Sequence, residues 1–277
     1  MVKQQLLEIV YYTDPYCTWC WGSEPILLHL KETLKEQPKI TYKMGGLVKD
    51  IAQFYDLLNQ ISSIEQVGPH WLEASERHGM PVDIQVFSDI KEEFRSTYPA
   101  NISYKAAQFQ DEKLAERFLR RMREAAASER KAIHRSEVLA DLAQEVGLDK
   151  QQFLKDLQSE KAKQAFFQDL QEARRQGISG FPTFKIVTAN SSIILRGYRS
   201  YASFIEVIKE LVPTIKVYEP PPLEELLKKY GHLATQEIAE VYGYSREEAE
   251  TVLKKLAKIG KVREVPRGNG SFWEPSA

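Results

Sequence analysis

The chain is predicted to be an α/β protein with a large helical insertion and a small helix-rich module at its carboxyl end. Three observations carry that prediction. Strand-like apolar runs stand only near the two ends of residues 1–216, at 6–12 and 40–44 and again at 183–187 and 192–196. Between them, from about 48 to 176, the sequence is dominated by Ala, Leu, Glu, Lys, Arg and Gln, which are good helix formers, with almost no strand signal. Three consecutive prolines, Pro220 to Pro222, then set off residues 223–277.

Leu6 to Tyr12 is rich in β-formers and bounded by Thr13-Asp14-Pro15, so it reads as a buried strand ending in a turn. Cys17 to about Gln37 reads as a helix, with Cys17, Cys20, Glu24, Leu27 and Leu28 near helical spacing and Pro25 bending it. Ile40 to Met44 supplies a second strand, parallel to the first because such crossovers are nearly always right-handed. In the helical block, Lys113 to Glu129 carries Leu114, Phe118, Leu119 and Met122 on one stripe. Ser136 opens another helix that ends near Gly147, and Asp149 caps one carrying Phe153, Leu154 and Leu157. The charges from Arg117 to Arg135 are read as solvated helix faces. Thr183–Val187 and Ser192–Arg196 flank a turn at Ala189-Asn190-Ser191 and read as a hairpin, followed by a helix from about Ser200 to Leu211. The order β-α-β, helical block, β-β-α is that of a thioredoxin fold with an inserted helical region.

The only two cysteines, Cys17 and Cys20, sit where the first strand gives way to a helix. A Cys-x-x-Cys opening a helix puts the first sulfur at the positive end of the helix dipole, which favours its thiolate, and leaves the second close enough to form a disulfide. The pair is therefore expected to lie exposed and to carry thiol-disulfide exchange. Zinc is the first alternative, but tetrahedral zinc wants two more ligands, and the five histidines are scattered with no His-x3-5-His pair. Two buried structural thiols are the second; the strand-loop-helix context argues against them. No metal and no cofactor is implied. Glu24, four residues after Cys20, is a candidate proton relay, although a solvated or capping role is the plainer reading.

A proline at a strand start removes a ladder donor, and cis geometry is nearly confined to X-Pro bonds. With Cys17-x-x-Cys20 upstream, Phe181-Pro182 is expected to be cis, with the preceding backbone facing Cys17 and offering an edge to an extended substrate; without that pair an ordinary trans edge proline would be the reading.

Taken together, the first strand, Cys17-Thr18-Trp19-Cys20, the long helical insertion and Gly180-Phe181-Pro182-Thr183-Phe184 resemble the DsbA family, especially its FrnE-like dithiol-disulfide isomerase branch, over about residues 5 to 212. The resemblance implies Cys17 as attacking thiolate, Cys20 as resolving thiol and Pro182 as the cis-proline beside them. Trp19, Phe181 and Thr183 are the candidate substrate contacts, and the partner implied is a client carrying a disulfide or thiol. Two positions depart from the family pattern. Thr18-Trp19 lacks the histidine of strongly oxidising relatives, and Tyr11 stands where many relatives of the wider fold place a buried carboxylate.

With 43% hydrophobic and 28% charged residues the 277-residue chain is long enough for one large or two modest domains, and its net charge of −1 creates no bulk field for nucleic acid or anionic lipid. The amino terminus lacks the apolar core of a secretory signal, and no run approaches the roughly 20 apolar residues of a membrane span, so a cytoplasmic protein is expected. There a Cys17–Cys20 disulfide would be transient.

Residues 217–222 read as a stiff linker. Beyond it, Leu223 to Tyr230, Thr235 to Tyr242 and Ser245 to Lys258 read as three helices closed by a hairpin around Arg267-Gly268-Asn269-Gly270, resembling a winged-helix domain over 223–277. The third helix opens Ser245-Arg246-Glu247-Glu248, acidic where a phosphate-facing helix should be basic, and residues 223–277 hold nine Lys or Arg against nine Asp or Glu. That balance points to a protein partner or to packing on the first domain rather than to nucleic acid. A DsbA-like domain with such a tail also resembles adaptors that deliver a transcription factor to the ClpXP protease. An adaptor with redox-sensing or incidental cysteines is the alternative to the oxidoreductase.

Overall fold

The computed structural model describes residues 7–57 and 59–276; Leu6, where the first strand was expected to begin, and the rest of the amino-terminal stretch lie outside them. The strands form one four-stranded sheet in the order β2-β1-β3-β4, with β1 Leu7–Thr13, β2 Pro38–Met44, β3 Thr183–Val187 and β4 Ser192–Arg196. β2 runs parallel to β1, as the crossover rule requires, and β3 and β4 are antiparallel to their neighbours. β1 is central because both its faces are apolar. Ile9 and Tyr11 face the main core, while Val10 and Tyr12 pack with Ala173 and Ile178 on the other side.

The single helix expected from Cys17 is two, α1 Thr18–Trp21 and α2 Glu24–Leu34. The break lies at Gly22-Ser23, earlier than the bend assigned to Pro25, because proline fits the first turn of a helix, where its missing N–H is no loss. Gly22 is also sterically required, since a Cβ there would lie 2.4 Å from Cγ of His78.

The insertion begins later than expected. Among the described residues of 48–63 there is only a short 3₁₀ turn, Ile51–Gln53, and one bridge between Asp56 and Ile61. Helices then follow in series: α3 Ile64–His78, α4 Gln85–Ile90, α5 Tyr98–Gln108, α6 Glu112–Ser128, α7 Ser136–Glu145, α8 Lys150–Leu157 and α9 Glu160–Arg175. Side chains of Asp111, Asp149 and Ser159 accept the first free amides of α6, α8 and α9, so these starts are set locally. Ser200 does the same for α10 Tyr201–Leu211.

Beyond the proline run come α11 Leu223–Tyr230, β5 Leu233–Ala234, α12 Thr235–Tyr242, α13 Arg246–Lys258, β6 Val262–Arg267 and β7 Gly270–Pro275, with the strands ordered β5-β7-β6. The two-residue β5 is too short to leave a sequence signal. This segment is packed hard onto the rest. Ala234 and Phe272 belong to the main core, and Leu28 of α2 belongs to the cluster of Leu226, Ile238 and Trp273.

That packing overturns the solvated reading of the α6 charges. Arg123 is 1% exposed and Glu124 6%, and Arg120 spans from Glu124 to a bidentate pair with Glu237 of α12 at 2.8 and 3.2 Å. The Arg120 guanidinium also lies over the ring of Trp21, 4.7 Å from its centroid. Arg130 and Arg135 do remain on the surface, paired with Asp89 and Glu93.

Candidate functional site

Asp14 builds the turn that presents the cysteines. Wholly buried, its carboxylate accepts from the amides of Tyr16 and Leu47, from Thr97 Oγ1 and from Asn101 Nδ2, all at 2.7 to 2.8 Å. Burial raises its pKa, and those four donors hold the rise in check. Cys17 then caps α1, its Sγ accepting from the Cys20 amide at 3.2 Å.

The downstream half of the site arrives from the β3 end. The Phe181-Pro182 peptide is cis, and the Cys17 thiol donates to the Phe181 carbonyl at 3.6 Å. Phe181 packs its ring over Gly45, where a Cβ would fall 2.0 Å from Cζ. Thr183 is buried, with its hydroxyl turned back onto Gly180 O at 2.7 Å. Trp19 is half-buried between Tyr198 and His78, each ring 5.8 Å away.

The pair is not exposed, contrary to the sequence expectation. Cys17 is 5% and Cys20 0% accessible, and both are free thiols. The reason is the shortness of α1, a single turn wedged against α3 and α6, so that the residues between the cysteines and the segment before Pro182 close over the sulfurs.

Beneath Cys20 the arrangement is equally unanticipated. Tyr11 is fully buried, stacked on Phe184 at 4.2 Å, and its hydroxyl donates to the Cys20 carbonyl at 3.4 Å. The Arg123 guanidinium stands 5.5 Å from the Tyr11 ring and donates to Thr13 Oγ1 and to the Glu24 carboxylate. Glu24 is therefore neither solvated nor free to swing; at 7% exposure its carboxylate meets Arg123 rather than either sulfur. Burial pushes the Cys17 thiol well up, reinforced by the adjacent Cys20 sulfur and the charge on it. Burial also works against a charge on Cys20, but the neighbouring Cys17, the Arg123 guanidinium and Thr13 outweigh it and hold that thiol below its ordinary value.

His78, the last residue of α3, brings an imidazole to the motif from sixty positions away. Its Nδ1 accepts the Met80 amide at 3.1 Å, so Nε2 carries the hydrogen and donates to Thr18 Oγ1 at 3.3 Å. Burial and the nearby Arg246 push its pKa down to about 4, so at neutral pH it is a fixed, uncharged clamp. Neither His78 nor Arg123 could be singled out from sequence: one is among scattered histidines, the other among six arginines of one charged stretch, Arg117 to Arg135. Among the described residues no three His, Cys, Asp or Glu side chains group as a metal site.

A family model described as Thioredoxin matches residues 11–206. The ClpXP adapter protein SpxH of Bacillus subtilis (strain 168) is 32% identical over 273 residues, covering 97% of this chain and 89% of that protein. The chain belongs to the thioredoxin-fold SpxH family. SpxH of Shouchella clausii is likewise 32% identical, over 97% of this chain and 88% of its own length, and SpxH of Halalkalibacterium halodurans 30% identical over 98% and 89%. Among solved structures, a putative protein disulfide isomerase from Nitrosomonas europaea superposes with a TM-score of 0.63 at 20% identity, covering 75% of this chain and 99% of that one. The cytosolic disulfide reductase DsbM from Pseudomonas aeruginosa gives 0.60 at 22%, covering 74% and 100%. At such identities these structures share the fold alone, the DsbA-like architecture expected from the sequence; the SpxH likeness extends over nearly the whole chain.

Proposed function

We propose that this protein is an adaptor that binds a client protein and delivers it to the ClpXP protease, working in the cytoplasm. One observation carries the reading. Similarity to SpxH runs over 97–98% of the chain, and so takes in the segment after α10, whereas the disulfide-enzyme structures cover 74–75% of it. The burial of both sulfurs points the same way, because an attacking thiolate has to reach its substrate. We read residues 223–277 as a winged-helix-like unit that contacts protein. α13 opens with Arg246, Glu247 and Glu248 exposed, a start that suits a protein surface better than a phosphate backbone.

The second reading, a thiol-disulfide oxidoreductase or isomerase, is supported by the Cys17 Sγ to Phe181 O contact beside Pro182. In that reading Cys17 attacks a client disulfide, Cys20 resolves the mixed disulfide, and Trp19, Phe181 and Thr183 line the substrate edge. One experiment separates the two. Degradation by ClpXP of a client that co-purifies with the chain is followed with the parent and with Cys17→Ser/Cys20→Ser, alongside insulin reduction. The adaptor reading expects faster degradation with both proteins. If the parent reduces insulin, Cys17→Ser abolishes that activity and neither protein accelerates proteolysis, the oxidoreductase reading replaces it.

A further inference from the structure

β4 ends the four-stranded sheet and pairs on one side only, with β3. Which of its backbone groups are used is fixed by the ladder, because antiparallel residue pairs alternate between exchanging two hydrogen bonds and exchanging none. The bonds flanking the hairpin, Gly197 N–H to Pro182 O at 2.8 Å and Thr188 N–H to Ser191 O at 2.9 Å, set the phase, so Leu195 with Phe184 and Ile193 with Ile186 are the bonded pairs. The amides and carbonyls of Ser192, Ile194 and Arg196 therefore point away from β3, at the open edge. Ser192 and Arg196 are exposed, and the three residues between them are half-buried.

Cations crowd this edge. Arg196 Nη1 donates to Gly177 O at 3.2 Å, Lys185 Nζ to Gln176 Oε1 at 3.1 Å and Arg199 Nε to Arg196 O at 3.0 Å. Arg174 and Arg175, exposed in the last turn of α9, add to the field. The acceptors of the first three are neutral, and none of the five is ion-paired among the described residues. Glu172, whose charge Arg175 feels, is already held by Lys43 at 2.8 Å and by Tyr12. Glu8 lies on β1, two strands in from the edge, and accepts from Thr41. A helix carboxyl terminus carries about half a negative charge, which accounts for one of these cations and not for five. Lys and Arg at a sheet edge also discourage edge-to-edge aggregation, and they do so by charge. A second copy of this chain brings the same cations to the same edge and is repelled, whereas an acidic strand is attracted.

We propose that the β4 edge is a docking site for an extended acidic segment of a partner protein, which adds as a strand along Ser192, Ile194 and Arg196 and sets its carboxylates against Lys185, Arg196 and Arg199. The inference rests on the adaptor reading in making that partner the client. A nucleic acid supplies negative charge but no peptide groups for an open strand edge, so the edge favours a protein. Side chains of an added strand alternate between the two faces of the sheet, so acids at every second position meet the cations.

The test uses the full chain and a fluorescein-labelled peptide of alternating Glu and Val, read by fluorescence polarisation at low salt. The peptide should bind, and its Lys-for-Glu counterpart should not. Arg196→Glu/Arg199→Glu should weaken binding by about tenfold, since two exposed attractions become repulsions. Ile194→Pro deletes an outward amide at a position where an edge strand tolerates proline, takes no bond from β3, and should weaken binding by about fivefold. Should that variant not fold, two peptides make the deletion from the other side, one methylated on its Glu nitrogens and one on its Val nitrogens; one should lose binding and the other keep it. A peptide that does not bind, charge reversal or amide deletion without effect, methylation that acts in both phases or in neither, or an oligothymidylate that binds at least as tightly would overturn the assignment. No protease is present, so the two readings fail separately. A chain that binds the peptide without speeding ClpXP degradation removes the adaptor alone, and one that delivers its client without binding the peptide removes the docking edge alone.

Discussion

His78 makes this protein sensitive to mild acid in a way that can be isolated from every other titrating group. In the folded chain its Nδ1 accepts the Met80 amide, its ring is 1% exposed and its folded pKa is about 4, against an ordinary value near 6.5. Protonating Nδ1 would set one N–H against another and place a charge next to Arg246 in a buried site. A histidine depressed in this way contributes stability that is present above about pH 6.5 and is lost as pH falls toward 4, because over that window the unfolded chain binds the extra proton. The slope is about 1.4 kcal/mol per pH unit, so the move from pH 6.5 to 5 costs about 2 kcal/mol through this one ring. His78→Gln keeps a donor for Thr18 and removes the titration. Urea unfolding of both proteins at pH 7, 6 and 5 gives the difference in stability at each pH, from which carboxylates common to both cancel. That difference should shrink by about 2 kcal/mol between pH 7 and 5. A difference that is flat across the range would refute the buried neutral imidazole and the clamp on Thr18 with it.

Two further outcomes follow from named contacts. Glu237→Gln removes the carboxylate facing Arg120 between α6 and α12; with Glu237 2% exposed and Arg120 20%, the loss should be about 3 kcal/mol and lower Tm by roughly 6–10 °C in calorimetry, with part recovered when Arg120→Met is added. Gly45→Ala forces the Phe181 ring aside, costing about 1–3 kcal/mol, and should speed iodoacetamide labelling of Cys17 over the parent because the carbonyl covering that sulfur moves with the ring.

Much of the fold was legible because its signals are local. The hairpin of β3 and β4 has the bounds expected of it, and Asp149 and Ser200 cap the helices they precede; the cis Phe181-Pro182 bond was legible from a proline at a strand start only in company with Cys17-x-x-Cys20 upstream. What escaped the sequence is tertiary. The charged face of α6 looks solvated, and only the arrival of His232 and of Glu237 on α12, from residues far downstream, covers Glu124 and Arg120. The covering of Cys17 likewise depends on α1 being a single turn and on the ring of His78 closing against Gly22, where no Cβ fits. Spacing identified the pair of sulfurs but held no information about the cation beneath them, since Arg123 differs in no visible way from its neighbours in the chain.

The contact between Cys17 and Phe181 joins residues 164 positions apart. At ribosomal rates of about 5–20 residues per second, the thiols emerge roughly ten to thirty seconds before the carbonyl that will shield them has been made. During that interval a nascent polypeptide offers both sulfurs, bare, to any oxidant or electrophile in its surroundings. The mature molecule hides them. Covalent attack on this pair is therefore expected to be faster on an unfinished chain than on the folded molecule, where Cys17 is 5% and Cys20 0% exposed.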